Sequence, residues 1–176
     1  MYLHGVRCYY IIPKKGYQFK NSCDIVDGLY VPFGPGSKFR INPMAIRDEG
    51  QIDETKIKDD TVINNKSLLA KQINDMILWI SLNLDLDSPL THTEYNKLNI
   101  ALTEVYMSFG ITESNESIYK NIETRELKLM PIIGDLYDHI KEVPELSRIS
   151  EALEIYVYGN CKNMNGQTNI DLTKDY

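Results

Sequence analysis

Five consecutive residues in the first quarter of the sequence resemble part of a phosphate-binding loop: Gly34-Pro35-Gly36-Ser37-Lys38. A working P-loop has the pattern Gly-x-x-x-x-Gly-Lys-Ser/Thr between a strand and a helix, so that backbone amides face the phosphates. Here no glycine directly precedes the lysine, no Ser or Thr follows it, and the next residues are typical of extended chain. Because Pro-Gly pairs are strong turn formers, the segment predicts a turn and not a phosphate site.

The side chains that bind metals or transfer protons are scattered along the chain. Cys8 and Cys23 are separated by fourteen residues, whereas structural zinc sites use close pairs such as Cys-x-x-Cys. The three histidines follow no ligand pattern such as His-Glu-x-x-His. Glu151 and Glu154 lie three positions apart, which is the common spacing of solvated helix surfaces. We therefore predict no metal site and assign no catalytic residue.

Basic and aromatic residues alternate in the first quarter, a combination that can hold single-stranded nucleic acid. The same alternation fits a strand whose tyrosines pack in a core while its lysines face water, and we favour this second interpretation. A DNA-contacting element remains an alternative hypothesis. The residues concerned are Lys14, Lys15, Lys20, Lys38, Arg40 and Arg47, with Tyr9, Tyr10, Tyr17, Phe19 and Phe39.

Charge is distributed unevenly along the 176 residues. Residues 1–47 contain seven Lys/Arg and two Asp/Glu, a net charge of +5, whereas residues 48–176 have a net charge of −11. Two unlike pieces of structure are therefore expected. The acidic majority argues against nucleic acid wrapping around the chain as a whole, so we expect no nucleic-acid partner for most of it.

The overall composition excludes several classes of protein. Hydrophobic residues at 43% and charged residues at 25% are ordinary for a globular domain, which excludes collagen-like, disordered and coiled-coil proteins. No run of eighteen apolar residues occurs, so no membrane span is predicted. The first eight residues lack the pattern of a secretory signal. Three cysteines are an odd number for a secreted scaffold, and we expect a reduced, cytoplasmic setting.

The elements that position these residues change in character along the chain. Short apolar runs at 8–12 and 29–33 predict strands, and residues 19–26 predict one or two helical turns. Apolar residues then recur at three- and four-residue steps, which predicts amphipathic helices. Three of these helices cover 69–84, 133–140 and 146–157. The fourth begins at a capping box formed by Thr91 and Glu94 and ends at a C-cap at Gly110.

The order of these elements predicts an α+β fold that is mainly α. A short helix is also expected within 113–121, and residues 168–172 are typical of entry into a strand. We divide the chain into a β-rich, sheet-side flank at 1–47, a helical subdomain at 48–165 and a returning strand at 166–176. The helical subdomain is thus flanked by partial sheet strands.

Three stretches of the sequence, at 30–44, 148–159 and 165–172, resemble the large VirB/TraE-type ATPases of conjugative type IV secretion. Nearly the whole chain fits, in the same order and with similar spacing. The most specific block is Asn165-Gly166-Gln167-Thr168-Asn169-Ile170-Asp171, and Ile41-Asn42-Pro43 is the next.

The resemblance implies a RecA-like α/β sheet whose strands flank a helical insertion located between the Walker A and Walker B motifs. It implies a cytoplasmic motor, peripheral at the inner membrane, that hydrolyses ATP with magnesium to energise DNA or protein transfer from a mobile genetic element. It also implies a homo-oligomer that contacts secretion-channel proteins and the rest of its own ATPase domain. In such a protein this sequence would begin after the Walker A helix and end on entry to the next strand.

The departures from the family pattern limit which residues can be assigned. Neither Walker A nor an apolar run ending in Asp-Glu for Walker B occurs, so the phosphate cradle, the magnesium ligand and the water-activating acid are missing. We therefore predict that the segment is inactive alone and that it binds no cofactor of its own. By resemblance, Lys14 and Lys15 are the candidates for a lysine close to nucleotide.

The family motif positions that can be carried over are expected to be structural, because Asn, Asp and Thr side chains close turns through bonds to the backbone. These positions are Asn42, Pro43, Thr168, Asn169 and Asp171. The alternative function is a protein–protein interaction module that docks secretion-channel proteins or neighbouring ATPase subunits through tyrosine-rich faces.

Overall fold

The computed structural model describes residues 10–12, 16–47, 67–84 and 88–170. Its helices are α1 (Lys20–Ile25), α2 (Leu68–Asn83), α3 (His92–Ser108), α4 (Ile133–Ile140) and α5 (Ser147–Val157), and its strands are β1 (Tyr119–Asn121) and β2 (Glu126–Leu127). Short 3-10 turns precede α1, β1 and α5 and follow α5, at Gly16–Phe19, Asn115–Ile118, Pro144–Leu146 and Lys162–Met164.

The predicted fold class is confirmed, because the structure is mainly helical with one small antiparallel sheet. In that sheet Tyr119 pairs with Leu127, and Asn121 pairs with Glu126. The Asn121 side chain also closes the hairpin by accepting hydrogen bonds from the backbone N–H groups of Glu123 and Thr124. None of the described helices is both long and apolar enough to cross a membrane.

The helix expected within 113–121 is wrong, since this stretch is a 3-10 turn followed by β1. Ile118 is its one fully buried apolar residue, and a single anchor cannot form the apolar stripe that stabilises an amphipathic helix. The main helical predictions are confirmed. The capping box of Thr91 and Glu94 starts α3, and Gly110 after α3 has a φ of +71°, the left-handed conformation that favours glycine.

The strand predicted at 29–33 is also wrong, because these residues form no ladder with any described part of the chain. A strand needs a neighbour to satisfy its backbone groups. Residues 10–12 and 168–170 also form no ladder with described residues. The rest of the strands predicted at 8–12 and 168–172 lies outside the described residues, so these two strands stay predictions. The favoured packing of the tyrosines is wrong for Tyr10 and Tyr17, which are 81% and 75% exposed.

The hydrophobic core lies among α2, α3, α4 and α5. Neighbouring helices pack in the order α2 on α3, α3 on α4 and α4 on α5. Within the described ranges, residues 10–41 contribute no buried side chain to this core. The division of the chain into 1–47, 48–165 and 166–176 stays a prediction. The largest fully buried side chains are Met44, Met76, Ile80, Leu98, Leu102, Tyr106, Ile111, Ile118, Ile133, Leu136, Ile140 and Leu146.

An ion pair fastens α5 to the start of α3. The guanidinium of Arg148 donates to both carboxylate oxygens of Glu94, at 3.0 and 2.9 Å. It also donates to the backbone oxygens of Ser88 and Pro89, just before the helix. Such two-pronged pairs are among the strongest polar contacts in proteins. The Arg148 bond, joined by the bonds from Thr91, lowers the pKa of Glu94 to about 2, although burial acts in the opposite direction.

Replacing Glu94 with Gln should lower the free energy of unfolding by about 2–3 kcal/mol at neutral pH, because Arg148 loses its charged partner. A lowered pKa stabilises the folded state above the ordinary value of 4.5, and this stabilisation is lost as the pH falls towards 2. Urea unfolding across this range should therefore show the difference between wild type and Glu94→Gln shrinking. Glu151→Gln, at an exposed position on α5, is the control. A pH-independent difference would contradict the assignment.

Candidate functional site

Two sequence motifs that are about 126 positions apart meet side by side, and we call residues 38–44 together with 163–169 the clasp. The backbone N–H of Asn42 donates to Oγ1 of Thr168 at 2.9 Å. The N–H of Arg40 donates to Oδ1 of Asn169 at 2.7 Å, and Nδ2 of Asn169 donates to the backbone oxygen of Lys38 at 2.9 Å. Side chains of one segment thus bind the backbone of the other.

Two backbone bonds continue this pairing. The N–H of Ile41 donates to the oxygen of Asn163 at 3.1 Å, and the N–H of Asn169 donates to the oxygen of Arg40 at 3.3 Å. The pairing lacks the regular alternation of a sheet because side chains replace several ladder bonds. The clasp is therefore a junction in which side chains bridge the two segments. The returning strand expected at 166–176 stays a prediction, because residues 171–176 lie outside the described ones.

A third segment, just before α4, is bound to the clasp. Nδ2 of Asn42 donates to the oxygen of Pro131 at 2.8 Å, and Nε2 of Gln167 donates to the oxygen of Met130 at 2.6 Å. The N–H of Gly134, in the first turn of α4, donates to Oδ1 of Asn165 at 2.7 Å. This bond satisfies one of the amides that the start of a helix leaves unpaired.

Asn42 occupies the centre of the clasp and is 3% exposed. Its Oδ1 accepts from the N–H of Met44 at 3.0 Å, so its backbone N–H, its side-chain oxygen and its side-chain nitrogen all have partners. A buried amide needs such partners, because an unsatisfied one costs about 1–3 kcal/mol. Asn42 therefore fixes the positions of three separate segments.

The helices α2 and α3 also bind the first segment of the clasp. Nε2 of Gln72 donates to the oxygen of Pro43 at 2.7 Å, and the hydroxyl of Tyr106 donates to the oxygen of Met44 at 2.6 Å. Burial raises the pKa of Tyr106 well above its usual range, so the hydroxyl keeps its proton and remains a donor. The clasp is thereby connected directly to α2, α3 and α4.

The structure brings together Asn42, Pro43, Thr168 and Asn169 from the predicted set. Lys14, Lys15 and Asp171 lie outside the described residues. No pattern in the sequence predicted the contacts made by Arg40, Asn163, Asn165, Gln167, Gln72 and Tyr106. The density of Asn, Gln and Thr in 163–169 is the signal that would have found several of them, since these side chains readily bond to backbone.

The turn predicted at 34–38 is confirmed. The N–H of Ser37 donates to the oxygen of Gly34 at 3.0 Å, and Gly36 has a φ of +77°, as a glycine at the third position of a type II turn requires. Oγ of Ser37 accepts from the N–H of Phe39 at 3.1 Å. These amides are therefore engaged within the turn, and no helix follows to complete a phosphate cradle.

No reactive constellation is visible in the part of the chain that the structure describes. No three His, Cys, Asp or Glu side chains there are grouped so that they could hold a metal ion. Cys23 and Cys161 are free thiols. A groove of about 310 Å³ runs between residues 41–47 and α2, and its walls include Met76 and Trp79. The geometry of the described residues supports a structural role, in which the clasp joins chain segments to the packed helices, more than it supports a catalytic role.

Comparison with solved structures identifies a protein of the same architecture. The chain matches the structure of VirB4 of Thermoanaerobacter pseudethanolicus with a TM-score of 0.66 and 25% sequence identity. The chain is built like a segment of VirB4. The match covers 97% of this chain and 41% of the VirB4 chain, so this chain spans less than half the length of VirB4.

The likeness to VirB4 confirms the resemblance to the VirB/TraE-type ATPases of type IV secretion that the sequence indicated. No family model matches the sequence, and no curated protein matches it. The chain is thus a segment related to the type IV secretion ATPases.

Replacing Thr168 with Val removes the hydroxyl that accepts from the buried N–H of Asn42 while keeping the shape of the side chain. We expect a loss of about 1–3 kcal/mol in the free energy of unfolding, because that N–H is left without a partner. Urea titration followed by circular dichroism measures it. Thr112→Val, at an exposed position, should change stability by less than about 0.5 kcal/mol. Equal effects of the two substitutions would contradict the role of Thr168.

Proposed function

We propose that this chain serves as the internal helical part of a VirB4-type ATPase that energises DNA or protein transfer in conjugative type IV secretion. The observation that carries the proposal is the match to VirB4 over 97% of the chain. In this account the complete motor works in the cytoplasm at the inner membrane and uses ATP and magnesium. The helical part supplies a rigid body and no reacting group.

The clasp supports this role because it brings together the two ends of the helical part. A helical unit inserted into another fold must receive the chain and return it at nearly the same place. Here residues 38–42 and 163–169 are hydrogen-bonded to each other, and the packed helices α2 to α5 lie between them in sequence. A unit closed in this way moves as one body, so a displacement of either segment is passed to the other.

We further propose that the 176 residues do not bind or hydrolyse ATP by themselves. The sequence has no Gly-x-x-x-x-Gly-Lys-Ser/Thr pattern. The nearest approach to one, at 34–38, is a turn in which the N–H of Ser37 is already bonded to the oxygen of Gly34. Without a phosphate cradle and a magnesium ligand, the positioning and charge stabilisation that phosphoryl transfer needs are missing.

Isothermal titration of the chain with magnesium-ATP tests this proposal. We expect no heat of binding at ATP concentrations from about 1 μM to 1 mM, the range in which the KM values of most enzymes lie. The double variant Lys14→Ala with Lys15→Ala should give the same flat titration. Micromolar binding by the wild-type chain would contradict the proposal, and its loss in the double variant would locate a nucleotide site at those lysines.

An interaction module is the second candidate function, and the exposed side chains before Asn42 favour it. The described residues within 10–41 contribute no buried side chain, yet they expose large apolar groups that include Ile11 at 94%, Tyr17 at 75% and Ile25 at 83%. A six-residue helix such as α1 is not stable in water without packing. We propose that this surface docks the rest of the ATPase domain, with channel proteins or other subunits as further partners.

Binding of a fluorescent apolar dye, combined with light scattering, tests the docking surface. We expect the chain to bind the dye and to self-associate as its concentration rises, because exposed apolar patches drive association. The double variant Tyr17→Ser with Ile25→Ser should lose most of both signals. Leu78→Ser, at a position 60% exposed on the well-packed helix α2, should keep them. A strictly monomeric chain that binds no dye would contradict the docking role.

A further inference from the structure

The clasp contains the dipeptide Asn165-Gly166. Asparagine is most prone to deamidation when glycine follows it. Glycine has no side chain to shield its backbone nitrogen, and it allows the chain to bend freely. That nitrogen can therefore reach the side-chain carbon Cγ of the preceding asparagine. An asparagine is among the thermolabile residues for this reason, and the position within the clasp gives the reaction a structural consequence.

Both members of the pair make close contacts within the clasp. The Asn165 side chain accepts from the N–H of Gly134 at 2.7 Å, and its amide lies against Gly134, where an added Cβ would come within 3.2 Å of Oδ1 and Nδ2. Gly166 is buried, and a Cβ there would lie 3.1 Å from Cδ of Arg40. Exchange of either residue for a more durable one would disturb contacts of the clasp.

We propose that Asn165 is a site of spontaneous covalent modification, and that the closed clasp restrains the reaction in the folded chain. In the first step the nitrogen of Gly166 forms a bond to Cγ of Asn165, and the bond from Cγ to Nδ2 breaks. The Nδ2 group leaves as ammonia and takes up the proton that the Gly166 nitrogen releases. Water then opens the five-membered ring and leaves either aspartate or isoaspartate.

The folded geometry opposes the first step. The amide of Asn165 is held against Gly134 by a hydrogen bond, and the backbone nitrogen of Asn165 donates to the oxygen of Lys162 at 3.0 Å. Gly166 is buried beneath Arg40. The side chain must leave Gly134 and the backbone must rotate before the ring can close. Reaction in the folded chain therefore requires local opening of the clasp.

The product isoaspartate would open the clasp permanently. It routes the main chain through the former side chain and so inserts one methylene, about 1.5 Å of extra backbone. Gln167, Thr168 and Asn169 follow immediately, and their hydrogen bonds to Met130, Asn42 and Arg40 depend on the present register. A shift of that size exceeds the tolerance of a hydrogen bond.

Peptide mapping by mass spectrometry tests the restraint. The full chain is aged at mildly alkaline pH, folded or in urea, and isoaspartate is detected by enzymatic methylation. We expect conversion of Asn165 to be at least about tenfold slower in the folded chain, which corresponds to an opening free energy of about 1.4 kcal/mol. The exposed pair Asn21-Ser22 in α1 is the internal reference and should be protected less. Equal rates at Asn165 in both states, or no conversion in urea, would overturn the proposal.

Two variants separate the clasp from general folding. Asn169→Ala removes the side-chain bonds to Arg40 and Lys38 without touching the reacting pair, and it should remove most of the protection at Asn165 while circular dichroism shows the helices intact. Asn165→Asp carries the charge of the product on a normal backbone. The aged isoaspartate chain should melt at a lower temperature than Asn165→Asp. Unchanged protection in Asn169→Ala, or equal melting temperatures, would overturn the role of the clasp.

Discussion

The buried amide of Asn42 is the constraint on which the rest of the structure depends. Three polar groups of one residue are removed from water, and each must find a partner within the fold. The partners come from Thr168, Pro131 and Met44, so one residue joins its own segment to two distant ones, at 131 and 168. Gln72 and Tyr106 extend the same set of bonds to α2 and α3, which ties the polar junction to the hydrophobic core.

This arrangement explains why the described residues before and after Asn42 differ so strongly. Past Asn42 the helices α2 to α5 share one core and are further fastened by the pair of Arg148 and Glu94. Before Ile41 the described residues form turns and a short helix, and none of them has a buried side chain. Such a stretch gains little from apolar burial to offset its lost conformational entropy. A closed helical body beside an exposed flank is the arrangement that the proposed docking role requires.

Much of the fold could be predicted from the sequence, because the signals are local. The helices follow from apolar periodicity, and the start of α3 follows from Thr91 and Glu94, which bond to each other across one turn. The strand at 29–33 could not be judged in this way, since a strand depends on a neighbour that local sequence does not reveal. The clasp shows the same limit. Asn42 and Thr168 are recognisable as motif positions, but they are 126 positions apart, and no local periodicity reveals that they meet.

The central claim is that 38–42 and 163–169 form one junction with the helical core. Amide hydrogen exchange by nuclear magnetic resonance measures this most directly, because the N–H groups of Arg40, Ile41 and Asn42 all donate across the junction. The account predicts that these amides exchange only through openings nearly as costly as those of the core amides of α3 and α4. Exchange at the rate of an unstructured chain, while the amides of α3 and α4 remain protected, would contradict it.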